Sequence, residues 1–131
     1  MIAVDSSALI EVVARQRLAA ECADALLSDD LVMSAATLTE SYIVAARKNA
    51  ADELTRLLAL IEPEIEDVTA AFALRAADAY RRWGKGFHRA DLNYGDSFSY
   101  ALAEMYGCPL LYVGNDFAQT DIGSALAGEA R

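Results

Sequence analysis

The chain has 131 residues, of which 55% are apolar and 24% charged, and a formal net charge of −9. That length suits one domain with a real core, and the composition excludes a disordered chain. The apolar stretches stop short of the ~18–20 residues that a membrane span needs, and the acidic balance excludes a broadly basic, phosphate-binding surface.

Residues 1–4 form a short apolar run ending at Asp5, the pattern of a buried parallel strand. From Ser6 onward, Leu9, Ile10, Val12 and Val13, then Leu18, Cys22, Ala25 and Leu26, recur near the helical period. They predict one or two helices up to about Leu27. Ser28-Asp29-Asp30 breaks the pattern, and residues 31–33 predict a second strand. Helical patterning resumes at Leu38 and runs to Lys48, and a further helix spans residues 52–61, ahead of Pro63. Residues 65–68 alternate apolar and acidic groups, as an exposed edge strand does. An amphipathic helix is predicted over residues 70–83, closed by Gly84 and followed by a glycine-rich basic loop. Residues 95–105 predict the next helix, residues 110–113 a fourth strand, and Gly114-Asn115-Asp116 a turn. A last short strand or turn is expected near Asp121-Ile122. Strand–helix alternation of this kind predicts a three-layer α/β/α domain with a central, mostly parallel sheet, covering residues 1–131 as one unit.

Two cysteines, Cys22 and Cys108, share no ligand spacing with each other or with the lone His88, so both read as small hydrophobes. A reducing cytoplasm is the expected location. The opening Met1-Ile2-Ala3-Val4-Asp5 has no basic segment ahead of an apolar one, so no secretion signal is expected there.

In a parallel sheet, ligands sit beyond the carboxyl ends of the strands. Asp5 ends the first strand, Glu40 lies in the first turn of the helix after the second, Asp96 opens the helix before the fourth, and Asp116 follows that strand. Carboxylates gathered at one edge repel each other, and a divalent cation is the usual remedy. Oxygen ligands without His or Cys favour Mg²⁺, with Mn²⁺ as substitute, over Zn²⁺. Each residue also has a plain helical reading. Asp5 suits an N-cap, Thr37-Leu38-Thr39-Glu40 a capping box, Asp96 the positive end of its helix, and Asp116 a turn. The acidic total is offset locally, because five of the eleven basic residues (Arg75, Arg81, Arg82, Lys85 and Arg89) lie within residues 75–89. Beyond them only Arg131 remains.

The opening Met1-Ile2-Ala3-Val4-Asp5-Ser6-Ser7-Ala8-Leu9 resembles the start of PIN-domain toxins of the VapC type. The block from Tyr80-Arg81-Arg82-Trp83-Gly84-Lys85-Gly86-Phe87 through Asn93-Tyr94-Gly95-Asp96-Ser97-Phe98 is similar to that family's most specific segment. Pro109-Leu110-Leu111-Tyr112-Val113-Gly114-Asn115-Asp116-Phe117, then Thr120-Asp121-Ile122, matches its closing one. The resemblance implies a Mg²⁺-dependent endoribonuclease, the toxin of a type II toxin–antitoxin pair, leaving a 3′-hydroxyl and a 5′-phosphate. It makes Asp5 and Asp96 the principal metal ligands, adds Glu40 and Asp116 as the second acidic pair, and places the hydroxyl supporting Asp5 on Ser6 or Ser7, with Ser7 preferred. Arg81, Arg82, Lys85 and Arg89 become candidate RNA-backbone contacts. An antitoxin with a basic C-terminal segment and a second copy of the chain are the implied partners, with no membrane. Ser97 departs from the cysteine, and Val113 from the lysine, that many relatives carry. His88, Trp83 and Phe87 are read first as loop packing or RNA contacts. Two other readings stay open: a non-catalytic PIN-like binding module, and a phosphoacceptor receiver domain. The latter would want a lysine at the end of a late strand, and residues 110–113 have none.

Overall fold

The computed structural model describes residues 1–126, so Arg131 and the end of the expected domain lie outside the described residues. Four short strands, β1 (Ile2–Val4), β2 (Leu31–Ser34), β3 (Glu64–Glu66) and β4 (Leu110–Leu111), form one sheet in the order β3-β2-β1-β4. Every pairing is parallel, with Ile2 opposite Leu31, Ala3 opposite Leu110, and Met33 opposite Ile65. Parallel neighbours need crossover connections. Helices α1 (Ser6–Val13), α2 (Ala19–Ser28), α3 (Ala35–Arg47), α4 (Ala51–Ile61), α5 (Ala70–Trp83) and α6 (Tyr94–Tyr106) supply them.

Alternation along the strands splits the interior in two. Ile2, Val4, Leu31 and Met33 pack on one face with Leu9, Cys22, Leu26 and Leu54 of the first, second and fourth helices. Ala3, Val32, Leu110 and Tyr112 pack on the other with Phe72, Ala76, Phe98 and Leu102 of α5 and α6. The result is the three-layer α/β/α arrangement, with a sheet that is parallel throughout. β3, with Glu64 and Ile65 exposed, is its edge. No described helix is long and apolar enough to cross a membrane.

Several boundaries differ from the sequence pattern for local reasons. The first helical stretch is two helices, one of the two arrangements its pattern allows, and the break comes where Arg15 takes a positive φ of 56°. α3 starts at Ala35, because the Ser34 hydroxyl accepts the Ala36 N–H at 3.0 Å and caps it early. The expected strand at 110–113 pairs over two residues only, and the strand or turn expected near Asp121-Ile122 takes the form of a bend at Asp121 followed by a single parallel bridge from Ser124 to Leu110. Gly84 does close α5, but at an ordinary φ of −81°. Its missing Cβ is what matters, since one there would collide with the carbonyl and ring of Tyr80.

Candidate active site

The exits of β1 and β4 and the first turns of α3 and α6 converge on the carboxyl edge of the sheet. Asp5 follows β1 directly, caps α1 and is 3% exposed. Its Oδ2 accepts the Ser7 N–H at 3.1 Å and the Ser7 hydroxyl at 2.6 Å. Its Oδ1 accepts the hydroxyl of Ser99, on α6, at 2.6 Å. Both oxygens are therefore oriented by short bonds to an anion, the stronger class of hydrogen bond. Each hydroxyl is braced in turn. Ser7 Oγ accepts the Val113 N–H at 3.0 Å, and Ser99 Oγ lies 3.3 Å from Thr37 Oγ1 of α3.

Asp96 stands in the first turn of α6, 6% exposed, in a capping box with Asn93. Asn93 Oδ1 accepts the Asp96 N–H at 2.8 Å, and Asp96 Oδ2 accepts the Asn93 N–H at 3.1 Å. Burial first, then the neighbouring Asp5 charge and a carboxyl contact with Asp116, push the Asp96 pKa up to about 8. Asp116 itself is exposed, in the turn after β4. Glu40 is half-buried and accepts the Ser6 hydroxyl at 3.0 Å. Burial and the Asp5 charge raise its pKa against the opposing Ser6 bond. The four carboxyls thus form a chain of neighbours, Glu40 to Asp5 to Asp96 to Asp116. Among the described residues, no ion pair joins any of them to a basic side chain. No group of three or more His, Cys, Asp or Glu among the described residues is close enough together to hold a metal ion.

The capping-box reading of Thr37-Leu38-Thr39-Glu40 does not hold. Ser34 caps α3, which puts Glu40 in the second turn, turned toward Ser6. Asp5 and Asp96 are genuine caps and are also neighbours in one cleft, so those two readings coexist. The approach of Glu40 depends on Gly95, where any Cβ would collide with the Glu40 carboxylate.

The basic residues lie along α5 and the loop after it. Arg81, 71% exposed, pairs with Asp78 one turn away at 2.8 Å. Arg82 is divided between Glu104 at 3.2 Å and Asp121 at 3.6 Å, with its guanidinium 5.4 Å from the Trp83 ring centroid and 5.9 Å from that of Tyr100. Lys85 and Arg89 are exposed, with no ion pair among the described residues. His88 packs within its loop. Its Nδ1 accepts the Ala90 N–H at 2.9 Å, and its ring meets Trp83 edge-on at 4.8 Å. Asp121 accepts the Tyr100 hydroxyl at 2.5 Å, away from the carboxyl chain.

Ser99 and Gly95 are the parts of the cleft that motif reading leaves without a structural role, while Thr37 and Ser6 take roles other than those read, beside Ser99 and on Glu40. One signal was available for Ser99. It sits three positions after Asp96, on the same helical face, in a stretch otherwise apolar from Phe98 to Ala103.

Comparison with known proteins gives a consistent result. The PIN domain family model matches residues 2–123. Ribonuclease VapC36 of Mycobacterium tuberculosis is 40% identical over 124 residues, 91% of this chain and 89% of its own. Ribonuclease VapC of Mycolicibacterium smegmatis is 40% identical over 126 residues, 92% and 97% of the two chains. Among solved structures, Mycobacterium tuberculosis VapC20, described as a sarcin-ricin loop cleaving toxin, superposes with a TM-score of 0.75 at 19% identity, covering 93% of this chain and 96% of that one. A chain of a toxin–antitoxin complex from Klebsiella pneumoniae gives a TM-score of 0.68 at 21% identity, covering 92% and 93%.

Proposed function

The chain belongs to the PIN-domain family, with VapC-type ribonucleases as relatives, and from that premise we propose that it is an endoribonuclease, the toxin half of a toxin–antitoxin pair. One observation carries the site. A buried Asp5, fixed through both oxygens by Ser7 and Ser99, lies beside a second buried carboxyl, Asp96, with no basic side chain paired to either among the described residues.

The donor chemistry fits a hard divalent cation such as Mg²⁺ or Mn²⁺. Every candidate ligand is an oxygen, and the crowding that lifts Asp96 is what a bound cation relieves. Asp5 and Asp96 would hold it as a pair, since no group of three acidic side chains among the described residues is close enough to share an ion, and Glu40 and Asp116 would act from outside as the second acidic pair. When bound, the ion supplies neutralisation of the scissile phosphate and a more acidic attacking water. The chain's own residues do the rest. Ser7 and Ser99 keep the Asp5 oxygens aimed into the cleft, and the Asn93 cap keeps Asp96 on the first turn of α6. Glu40, held by Ser6, stands on the far side of Asp5, able to orient a water or take its proton. Arg81, Lys85 and Arg89 guide the RNA backbone at the rim. Arg82 has less to offer, because its guanidinium already serves two carboxylates.

The whole chain acts as one domain in the cytoplasm. Its antitoxin carries a basic C-terminal segment that covers the acidic cleft, and a second copy of the chain completes the assembly. The test is cleavage of total RNA by the purified protein. Activity should vanish in excess chelator, return with Mg²⁺ or Mn²⁺, and be absent from Asp96→Asn. Unchanged cleavage in chelator would reject the metal, and no cleavage by folded protein would leave the non-catalytic binding module. Expression without the partner should arrest growth, and co-expression of the neighbouring short reading frame should relieve it.

A further inference from the structure

A groove of about 470 Å³ opens between α5 and α6, lined by none of the four carboxyls and sharing with the proposed RNA rim only Arg81. Its floor is three alanines of α5, and its walls are two aromatic pairs. Tyr94 meets Phe98 edge-on with ring centroids 5.2 Å apart, and Phe87 meets Tyr80 edge-on at 6.0 Å. The outer ring of each pair faces water, with Tyr94 75% and Phe87 62% exposed. Large aromatic surfaces left in water forgo the stabilisation of burial, which a ligand can recover. We infer that this groove is a subsite for an unpaired nucleobase of the RNA flanking the cleaved phosphate, an inference that rests on the nuclease reading above.

Three observations select a base over a protein segment. First, the volume falls in the class of pockets that enclose a small ligand, about 300–1,000 Å³, rather than in that of the broad surfaces that bind proteins. Second, Arg81 is the sole charged side chain among the described lining residues, and Lys85 and Arg89 stand two positions to either side of Phe87 in the adjoining loop. In a chain with a net charge of −9, the lining itself carries no carboxylate, and its one cation, Arg81, is held only by an exposed pair with Asp78, of the weak kind that a phosphate can replace. That rim suits a phosphate backbone entering beside the groove and repels the basic segment proposed for the antitoxin. Third, the groove and the cleft meet along the chain at the start of α6. Tyr94 and Ser97, which line it, share the first turn of α6 with Asp96, and the Ser97 hydroxyl donates to the Tyr94 carbonyl at 2.6 Å. A base seated between Tyr94 and Phe87 would thus hold its own backbone close to the carboxyls. Stacking of this kind tolerates any base, because each has a π face.

The test compares two short fluorescent probes of equal length and charge, an oligouridylate and the same ribose-phosphate chain without bases, so that backbone electrostatics cancel. Binding is measured in Mg²⁺ with Asp96→Asn protein, which leaves the probe intact. The oligouridylate should bind about tenfold tighter or more, as expected for one or more stacked bases. Adding Tyr94→Ala should remove that advantage and leave the abasic probe's affinity unchanged, while Tyr94→Phe, which keeps the ring, should retain it. Tyr94 is exposed enough that its truncation spares the core. Equal binding of both probes would overturn the subsite, as would an advantage that survives Tyr94→Ala combined with Phe87→Ala. A change of oligomeric mass in Tyr94→Ala with the base advantage intact would likewise overturn it and make the groove a protein contact. Total-RNA cleavage by the native chain, run alongside, keeps the two ideas apart. Cleavage without base-dependent binding rejects only the subsite, and base-dependent binding without cleavage rejects only the nuclease.

Discussion

The acidic cleft and the basic rim of this molecule are built on opposite plans. In the cleft, side chains from α1, α3 and α6 reach across the sheet edge, and each carboxyl except Asp116 has a hydrogen-bonding side chain or capped backbone holding it. At the rim, Arg81 is held by one exposed pair within its own helix, and Lys85 and Arg89 by none among the described residues. Exposed pairs contribute roughly 0–1 kcal/mol and leave long side chains mobile. On the function proposed above, carboxyls that would present fixed oxygens to one ion need such rigidity, whereas side chains that would meet a flexible polyanion gain little from it. The cleft also carries a cost that the rim does not, since like charges are gathered there in partial burial.

The contrast can be broken hardest at Asp96. Asp96→Asn should abolish RNA cleavage, yet raise the melting temperature measured in chelator above about pH 8, where the carboxyl is ionised, because it removes one of the crowded charges. Millimolar Mg²⁺ should stabilise the native chain by mass action and the variant less. A variant that melts lower in chelator and still cuts would reduce Asp96 to a cap. The same crowding fixes a sign for pH. The folded-state pKa of Asp96 is raised from 3.8 to about 8, and that of Glu40 is also raised. Such groups stabilise the fold fully below their unfolded values and lose that contribution as pH rises through the folded ones. In chelator the melting temperature should therefore decline between pH 3.8 and about 8, and the decline should be shallower in Asp96→Asn.

Ser99→Ala comes next. With one Asp5 oxygen released, cleavage should drop about 10–100-fold, as it does when a ligand's supporting partner is removed. The Mg²⁺ needed for half-maximal thermal stabilisation should rise with it. A fall in activity at unchanged Mg²⁺ dependence would give Ser99 a packing role only. Gly95→Ala should push the Glu40 carboxylate off Ser6 and lower cleavage while changing stability little in a denaturant titration, since the added Cβ meets only the end of a flexible side chain. A large loss of stability would show that Glu40 cannot swing aside. The smallest effect belongs to the rim. Lys85→Ala with Arg89→Ala should weaken RNA binding modestly at low salt and lower the salt slope by about one for each phosphate no longer neutralised. An unchanged slope would place the RNA path elsewhere.

Much of this architecture was legible from the chain alone. The apolar run ending at Asp5, the boundaries of α5 and the edge character of the β3 segment follow from periodicity and residue type, which act over a few neighbouring positions. The family's blocks around Asp96 and Asp116 are local in the same sense. Glu40 shows where such reading stops. Its capping-box pattern was sound by spacing, but Ser34 started the helix earlier, and the partner of Glu40 proved to be Ser6, 34 residues away. The Ser99 bond to Asp5 spans 94 residues, and the space that Gly95 leaves for Glu40 joins two helices distant in the chain. Sequence by itself therefore determined which elements form and which carboxylates end them. Only the tertiary structure decided which hydroxyls brace those carboxylates and which aromatic faces are left open beside them. Those contacts depend on the register of packed elements, which no local pattern encodes.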